Sequence, residues 1–111
     1  PTVNVSALDV TLQTARDTTG DEINRLLRAA ADGQYAGLLD YTELPHASCD
    51  FNHDPHSAIV DGSQTRVSGP RLVNLLAWFD NEWGFANRML DVAEHFLAVS
   101  TSSVQPAPVK D

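Results

Sequence analysis

The first hydrophobic pattern along the chain has a period of two and covers residues 3–14. Apolar side chains occupy odd positions from Val3 to Ala7 and even positions from Leu8 to Leu12. Alternation with this period is typical of a strand, and a change of phase within it indicates a bulge or a switch of the buried face. We therefore predict one long strand, whose first half contacts something other than the core of this chain.

The next periodic segment predicts a helix over residues 20–32. Its apolar stripe consists of Ile23, Leu26, Leu27 and Ala30. Residues 19–22 (TGDE) fit a capping box, in which the Thr19 side chain accepts from the Glu22 amide and the Glu22 carboxylate reaches back to the Thr19 amide. Gly33 suits the position that follows a helix.

Short apolar runs in the middle of the chain predict further strands. These runs cover residues 36–42, 46–51, 57–60, 65–67 and 72–79. Ala47, Cys49 and Phe51 alternate as core positions of a strand should. Because residues 61 and 62 (DG) form a strong tight-turn dipeptide, we expect the runs on either side of them to pair as a hairpin. The run at 72–79 is nearly continuous, and the adjacent turn signals favour a central strand over the start of a helix.

The last periodic segment predicts a second helix, with an apolar stripe at Phe85, Met89, Val92 and Phe96. From Ser100 the sequence is polar and contains proline, so we expect a folded part over residues 1–99 and a disordered tail over residues 100–111. The order of the elements predicts an α+β fold with an antiparallel or mixed sheet and helices on one face.

Composition then narrows the function classes. The chain has 111 residues, and 15 acidic against 7 basic side chains give it a net charge of −8, which argues against nucleic-acid and membrane partners. No apolar run approaches the ~20 residues of a membrane span. One cysteine forms no internal disulfide, which fits a cytoplasmic location. Because residue 1 is Pro and a strand pattern starts at Val3, we expect the chain to begin inside a longer protein.

One cluster of side chains that could carry chemistry lies at residues 46–56, and it contains His46, Cys49, Asp50, His53, Asp54 and His56. The spacing of Cys49, His53 and His56 approaches that of zinc ligands, although Pro55 interrupts the geometry. A turn whose polar side chains bond the local backbone is the alternative. Cys49 beside histidines could also be a nucleophile with its base, or else a small apolar core residue.

Residues 78–85 (WFDNEWGF) form a second cluster, at the point where a strand passes into a helix. Ligand sites are common at such places. Asn81 carries both a hydrogen-bond acceptor and a donor, so it can pair with a ligand carboxamide. The alternative is that Asp80 or Asn81 only caps the last helix.

Residues 54–57 (DPHS), followed by residues 78–85, resemble the C-terminal part of the glyceraldehyde-3-phosphate dehydrogenase family. Residues 1–6 (PTVNVS) and 41–43 (YTE) match that family in the same order. The resemblance covers residues 1–98. The segments that resemble the D-erythrose-4-phosphate dehydrogenase branch are residues 50–62 (DFNHDPHSAIVDG), 65–69 (TRVSG) and 84–91 (GFANRMLD).

The resemblance implies an NAD-dependent enzyme in which a Rossmann domain precedes an α+β catalytic domain, with residues 1–99 as the C-terminal part of the latter. It implies oxidation of D-erythrose 4-phosphate to 4-phosphoerythronate for pyridoxal phosphate synthesis, or alternatively of glyceraldehyde 3-phosphate, in a cytoplasmic homotetramer. The cysteine nucleophile and the histidine base of the family lie upstream of Pro1, so the isolated chain is expected to be inactive.

In this chain only Asn81 carries a family role, that of holding the nicotinamide carboxamide, and no residue is expected to bind metal. The resemblance also implies that the apolar stripe of the last helix packs against the Rossmann domain. A non-catalytic module, which binds metal or serves in assembly, is the alternative of another class.

Overall fold

The computed structural model describes residues 3–102 and has an α+β fold, as the sequence predicts. The strands are β1 (Ser6–Gln13), β2 (Leu39–Thr42), β3 (Ala58–Asp61), β4 (Arg66–Ser68) and β5 (Leu72–Phe79). The α-helices are α1 (Gly20–Asp32) and α2 (Asn81–Ser102). Two short 3-10 helices cover Ser48–Phe51 and Gly62–Gln64.

The five strands form one mixed sheet in which β5 is central, which confirms the prediction for the run at 72–79. One edge of β5 pairs with β1 along its whole length, from Ser6 opposite Phe79 to Gln13 opposite Leu72. Its other edge pairs with β3 and β4, and all three partners are antiparallel to it. β2 completes the sheet by pairing with β3 in the parallel sense. A long, nearly continuous apolar strand suits this position because it has neighbours on both edges.

The first helix has the predicted bounds, and its cap differs in one detail. The Thr19 hydroxyl accepts from the Glu22 amide at 3.2 Å, as predicted. The Glu22 carboxylate, however, accepts from Thr18 Oγ1 at 2.8 Å and from the Arg16 guanidinium at 2.6 Å. The second half of the predicted capping box is therefore wrong. The Glu22 carboxylate binds the side chains of Arg16 and Thr18 instead of the Thr19 amide.

Two strand predictions are also wrong. Residues 48–51 form a 3-10 helix rather than a strand, which leaves Cys49 exposed and buries Phe51. The Asp50 carboxylate stabilises this turn by accepting from the Ala47 amide at 2.7 Å. β4 pairs with β5 and not with β3, because Asp61 caps a 3-10 turn through the Ser63 amide and the chain continues instead of reversing.

The hydrophobic core is small and lies on one face of the sheet. Val5, Phe51 and Ile59 are its buried members, and Trp78 packs against them. The rings of Phe51 and Trp78 stack with their centroids 5.5 Å apart. The 3-10 turn that replaced the predicted strand thus provides the ring that covers β3 and β5 on this face.

The second helix leaves the body of the domain. Its 22 residues extend about 33 Å, and the radius of gyration of 19.2 Å exceeds the ~13 Å of a compact domain of 100 residues. The predicted stripe is exposed along its length: Phe85, Met89, Val92 and Phe96 are all more than half exposed. Over the described residues, neither helix is long and apolar enough to cross a membrane.

The predicted tail differs at its beginning. Residues 100–102 belong to α2, so the expectation of disorder is wrong for them. The remainder of the expected tail, residues 103–111, lies outside the described residues.

Candidate functional site

The candidate site lies at the junction of β5 and α2, and Asp80 organises it. Asp80 is buried, with 1% of its surface exposed. Its Oδ1 accepts from the Trp83 amide at 3.0 Å, and its carbonyl oxygen accepts from the Gly84 amide at 2.8 Å. Asp80 is therefore the N-cap of α2, a position that favours aspartate because the side chain satisfies an amide of the first turn.

The other carboxylate oxygen of Asp80 joins two further segments to this turn. Oδ2 accepts from Asn4 Nδ2 at 2.8 Å and from the His53 amide at 2.9 Å. These N–H groups lower the pKa of Asp80, with the His53 amide as the main cause, and they outweigh the effect of burial, which acts in the opposite direction. The carboxylate is thus charged at neutral pH and holds residue 4, residue 53 and α2 together.

Asn81 follows directly and is the first residue of α2. Because Asp80 provides the cap, the Asn81 side chain is not used for capping. It is exposed, and its amide has no hydrogen-bond partner within residues 3–102. Asn81 borders a shallow cleft of about 200 Å³. The other residues around this cleft are Ser57, Phe79, Asp80, Gly84, Phe85 and Arg88.

The first two turns of α2 are held against the loop that leads into β3. A Cβ on Gly84 would lie 3.1 Å from the His56 carbonyl oxygen, so glycine allows the helix to approach this loop closely. One turn later, Arg88 Nη1 donates to the Gly37 carbonyl at 3.1 Å and to Ser57 Oγ at 3.4 Å. Two residues that border the cleft, Gly84 and Arg88, are therefore held in place by contacts outside α2.

The residues that suggested zinc or a nucleophile do not converge. Cys49 is exposed on its 3-10 helix. The His53 ring lies against Trp83, with centroids 4.8 Å apart, and His56 Nδ1 lies 2.7 Å from Asp54 Oδ1. Each histidine has a different partner, and the partner of His53 comes from α2 rather than from the turn itself.

Within residues 3–102 a different group of potential ligands comes together, namely Asp40, Asp54 and His56, whose ligand atoms lie within 4.8 Å of one another. Asp40 comes from β2 and was not part of the predicted cluster. Local hydrogen bonds engage two of these side chains: Asp54 Oδ1 accepts from the His56 amide at 2.9 Å, and Asp40 Oδ1 accepts from the Tyr41 amide at 2.8 Å. Both carboxylates thus accept from the local backbone through one oxygen.

Sequence reasoning indicated Asn81 but missed Asn4. Asn4 is 76 residues from Asp80 and sits in what looked like an ordinary strand pattern. No local signal could have found it, because only the pairing of β1 with β5 brings the two ends of the domain together.

Comparison with protein families agrees with this architecture. Residues 1–81 match the family model described as glyceraldehyde 3-phosphate dehydrogenase, C-terminal domain. The match contains α1 and all five strands and ends at Asn81. The chain therefore belongs to the glyceraldehyde-3-phosphate dehydrogenase family of oxidoreductases and carries the C-terminal domain of that family.

Proposed function

We propose that this chain is the C-terminal part of an NAD-dependent sugar-phosphate aldehyde dehydrogenase and that Asn81 binds the nicotinamide carboxamide. The observation that carries the proposal is the state of the Asn81 side chain. It is exposed beside a shallow cleft, and the neighbouring Asp80 caps α2. An amide without a protein partner offers a donor and an acceptor, which is the complement of a carboxamide.

The residues around Asn81 fit such a group. Phe79 and Phe85 contribute apolar side chains to the cleft that Asn81 borders. NAD, when bound, supplies the acceptor for the hydride that leaves the aldehyde carbon. Asn81 would hold the carboxamide through its side-chain donor and acceptor and so restrict the orientation of the nicotinamide ring.

The proposed substrate is D-erythrose 4-phosphate, which is oxidised to 4-phosphoerythronate for pyridoxal phosphate synthesis. The support is sequence resemblance to that branch of the family, above all residues 50–62 and 84–91. Glyceraldehyde 3-phosphate is the alternative substrate. The cysteine nucleophile and histidine base belong to the part of the enzyme upstream of Pro1, so the 111 residues alone are expected to show no turnover.

The proposed partner of α2 is the Rossmann domain of the same subunit. Met89 and Phe96 lie on one apolar face with Phe85, and that face contributes nothing to the core of the domain. Fully burying one such side chain stabilises a protein by about 1.5–3 kcal/mol, so a helix with this face needs a partner. We further propose a cytoplasmic homotetramer, without nucleic-acid or membrane partners, in agreement with the net charge of −8.

The experiment that tests the function uses the complete dehydrogenase subunit containing this chain. NADH formation is measured with each of the two aldehydes, first for the wild type and then for Asn81→Ala. We expect the higher kcat/KM with D-erythrose 4-phosphate, and a KM for NAD that rises about ten-fold in the variant, since ten-fold equals about 1.4 kcal/mol, the size of one to two hydrogen bonds. Absence of NADH formation with either aldehyde would refute the proposed reaction. An unchanged KM for NAD would refute the proposed role of Asn81.

A further inference from the structure

Two residues have a backbone conformation that side chains with a Cβ disfavour, and both lie beside Asp80. Among the described non-glycine residues, positive φ angles occur at Val5, with 72°, and at His53, with 62°. A positive φ is uncommon in general, and it is a genuine outlier for a β-branched residue such as valine. Such conformations cost about 1–3 kcal/mol each and tend to gather at functional sites.

The strain at Val5 has an identifiable structural result. The Val5 side chain is buried, with 8% exposed, in the core with Phe51 and Ile59. The side-chain amide of Asn4, the preceding residue, donates to the carboxylate of Asp80. The left-handed turn at Val5 therefore allows one residue to fill the core while its neighbour reaches the cap of α2.

The conformation of His53 serves the same carboxylate from the opposite side. Its amide donates to Asp80 Oδ2 at 2.9 Å, and Asn52, the residue before it, accepts from Asn4 Nδ2 at 2.6 Å. Asn4, Asn52, His53 and Asp80 thus form a closed network, which we call the Asp80 network. Both strained residues belong to it or adjoin it.

Asn81 is the residue that directly follows Asp80 of this network. The Asp80 side chain belongs to the network, and its carbonyl oxygen accepts the first hydrogen bond of α2. The position of the first turn of the helix therefore depends on the partners of the Asp80 carboxylate. A cap alone would need only the Trp83 amide. The additional bond from Asn4 fixes the helix start relative to the segment that precedes β1.

We propose that Asn4 is a positioning residue for the dinucleotide: through Asp80 it orients the Asn81 amide toward the nicotinamide carboxamide. This inference rests on the proposed function, because it assigns a support to the residue that is proposed to bind the cofactor. Asn4 does not line the cleft beside Asn81, so we expect its effect to be confined to interactions that depend on the orientation of the Asn81 amide.

The test measures the KM values of NAD and of its acetylpyridine analogue, in which a methyl group replaces the amide nitrogen of the carboxamide. The protein is the complete dehydrogenase subunit, as wild type, Asn4→Ala and Asn81→Ala. The matched control is Asn87→Ala, which removes an asparagine of α2 that donates to the Trp83 carbonyl and belongs neither to the Asp80 network nor to the lining of the cleft.

For Asn4→Ala we expect the KM for NAD to rise about five-fold and the KM for the analogue to rise less than two-fold, because the loss of one oriented hydrogen bond costs roughly 0.5–1.5 kcal/mol. The control is expected to change both values less than two-fold. A purely structural role of Asn4 would weaken both dinucleotides equally, and that result would overturn the inference.

The variants also separate the inference from the proposed function. If Asn81→Ala raises the KM for NAD and Asn4→Ala does not, the inference is overturned and the proposed function stands. If Asn81→Ala leaves the KM for NAD unchanged, the proposed function itself fails. Should Asn4→Ala not fold, Asn4→Ser removes the same long-range donor with a smaller loss of polarity, and the same two KM values decide.

Discussion

Replacing Asp80 by alanine is expected to destabilise the domain by about 2–4 kcal/mol. The carboxylate accepts from three N–H groups through part-buried hydrogen bonds and is itself 1% exposed, so its removal leaves these donors without their partner. Loss of the cap at the Trp83 amide costs about 1 kcal/mol. The part-buried His53 amide also loses its acceptor, which adds about 1–3 kcal/mol, the cost of an unsatisfied donor. Asn4 keeps its bond to Asn52, so its amide adds little.

The same perturbation has a defined pH dependence. The pKa of Asp80 in the folded chain lies below its ordinary value of 3.8, chiefly because of the His53 amide. A lowered pKa means that the ionised group stabilises the fold above the ordinary value and that this contribution disappears as the pH falls through the folded value. The difference between wild type and Asp80→Ala is therefore expected to be constant from about pH 5 to 8 and to shrink only below about pH 4.

Urea unfolding of the 111-residue chain, followed by tryptophan fluorescence, measures this difference. The chain has two tryptophans, and both lie near the site: Trp78 stacks on Phe51 and Trp83 lies against His53. Glu82→Ala is the matched control, because it removes an exposed carboxylate from the same helical turn and is expected to cost less than about 1 kcal/mol. A cost of less than about 1 kcal/mol for Asp80→Ala, or a difference that varies between pH 5 and 8, would refute the reasoning.

Three further outcomes are expected. Gly62→Ala should lower the free energy of unfolding by about 1–3 kcal/mol, because its Cβ would overlap the Tyr41 ring. Gly20→Ala is the control, since a Cβ there meets open space, and equal urea midpoints of the two variants would contradict the prediction. Cys49→Ser should change stability by less than about 0.5 kcal/mol and leave turnover of the complete enzyme intact, and a loss of turnover would restore Cys49 as a nucleophile. Phe96→Ser should leave the unfolding of the 111-residue chain within about 0.5 kcal/mol but destabilise the complete subunit by about 1.5–3 kcal/mol; equal effects would argue against docking of α2.

Local signals were sufficient for the elements whose causes are local. The bounds of α1 follow from the Thr19 cap and a regular apolar stripe, and both are visible in the sequence. The central position of β5 follows from its continuous apolar run. The strand prediction for residues 48–51 was wrong because their apolar alternation resembles a strand. The Asp50 side chain and the burial of Phe51 favour a turn instead.

At the candidate site, the sequence indicated Asp80 and Asn81 but not which of the two caps α2. Whether Asp80 or Asn81 caps α2 depends on the backbone at that junction, and the structure assigns the cap to Asp80. The role of Asn4 depends on strand pairing across the whole domain and on a strained conformation at Val5, and neither is encoded in a local pattern.

The most direct test of the central claim compares NAD with its acetylpyridine analogue in the complete enzyme, before and after the substitution Asn81→Ala. If Asn81 binds the carboxamide, the wild type prefers NAD, and the substitution reduces the ratio of the two kcat/KM values about five-fold, as the loss of one hydrogen bond of about 1 kcal/mol requires. An unchanged ratio would contradict the claim, because the Asn81 amide would then make no distinction between the two groups.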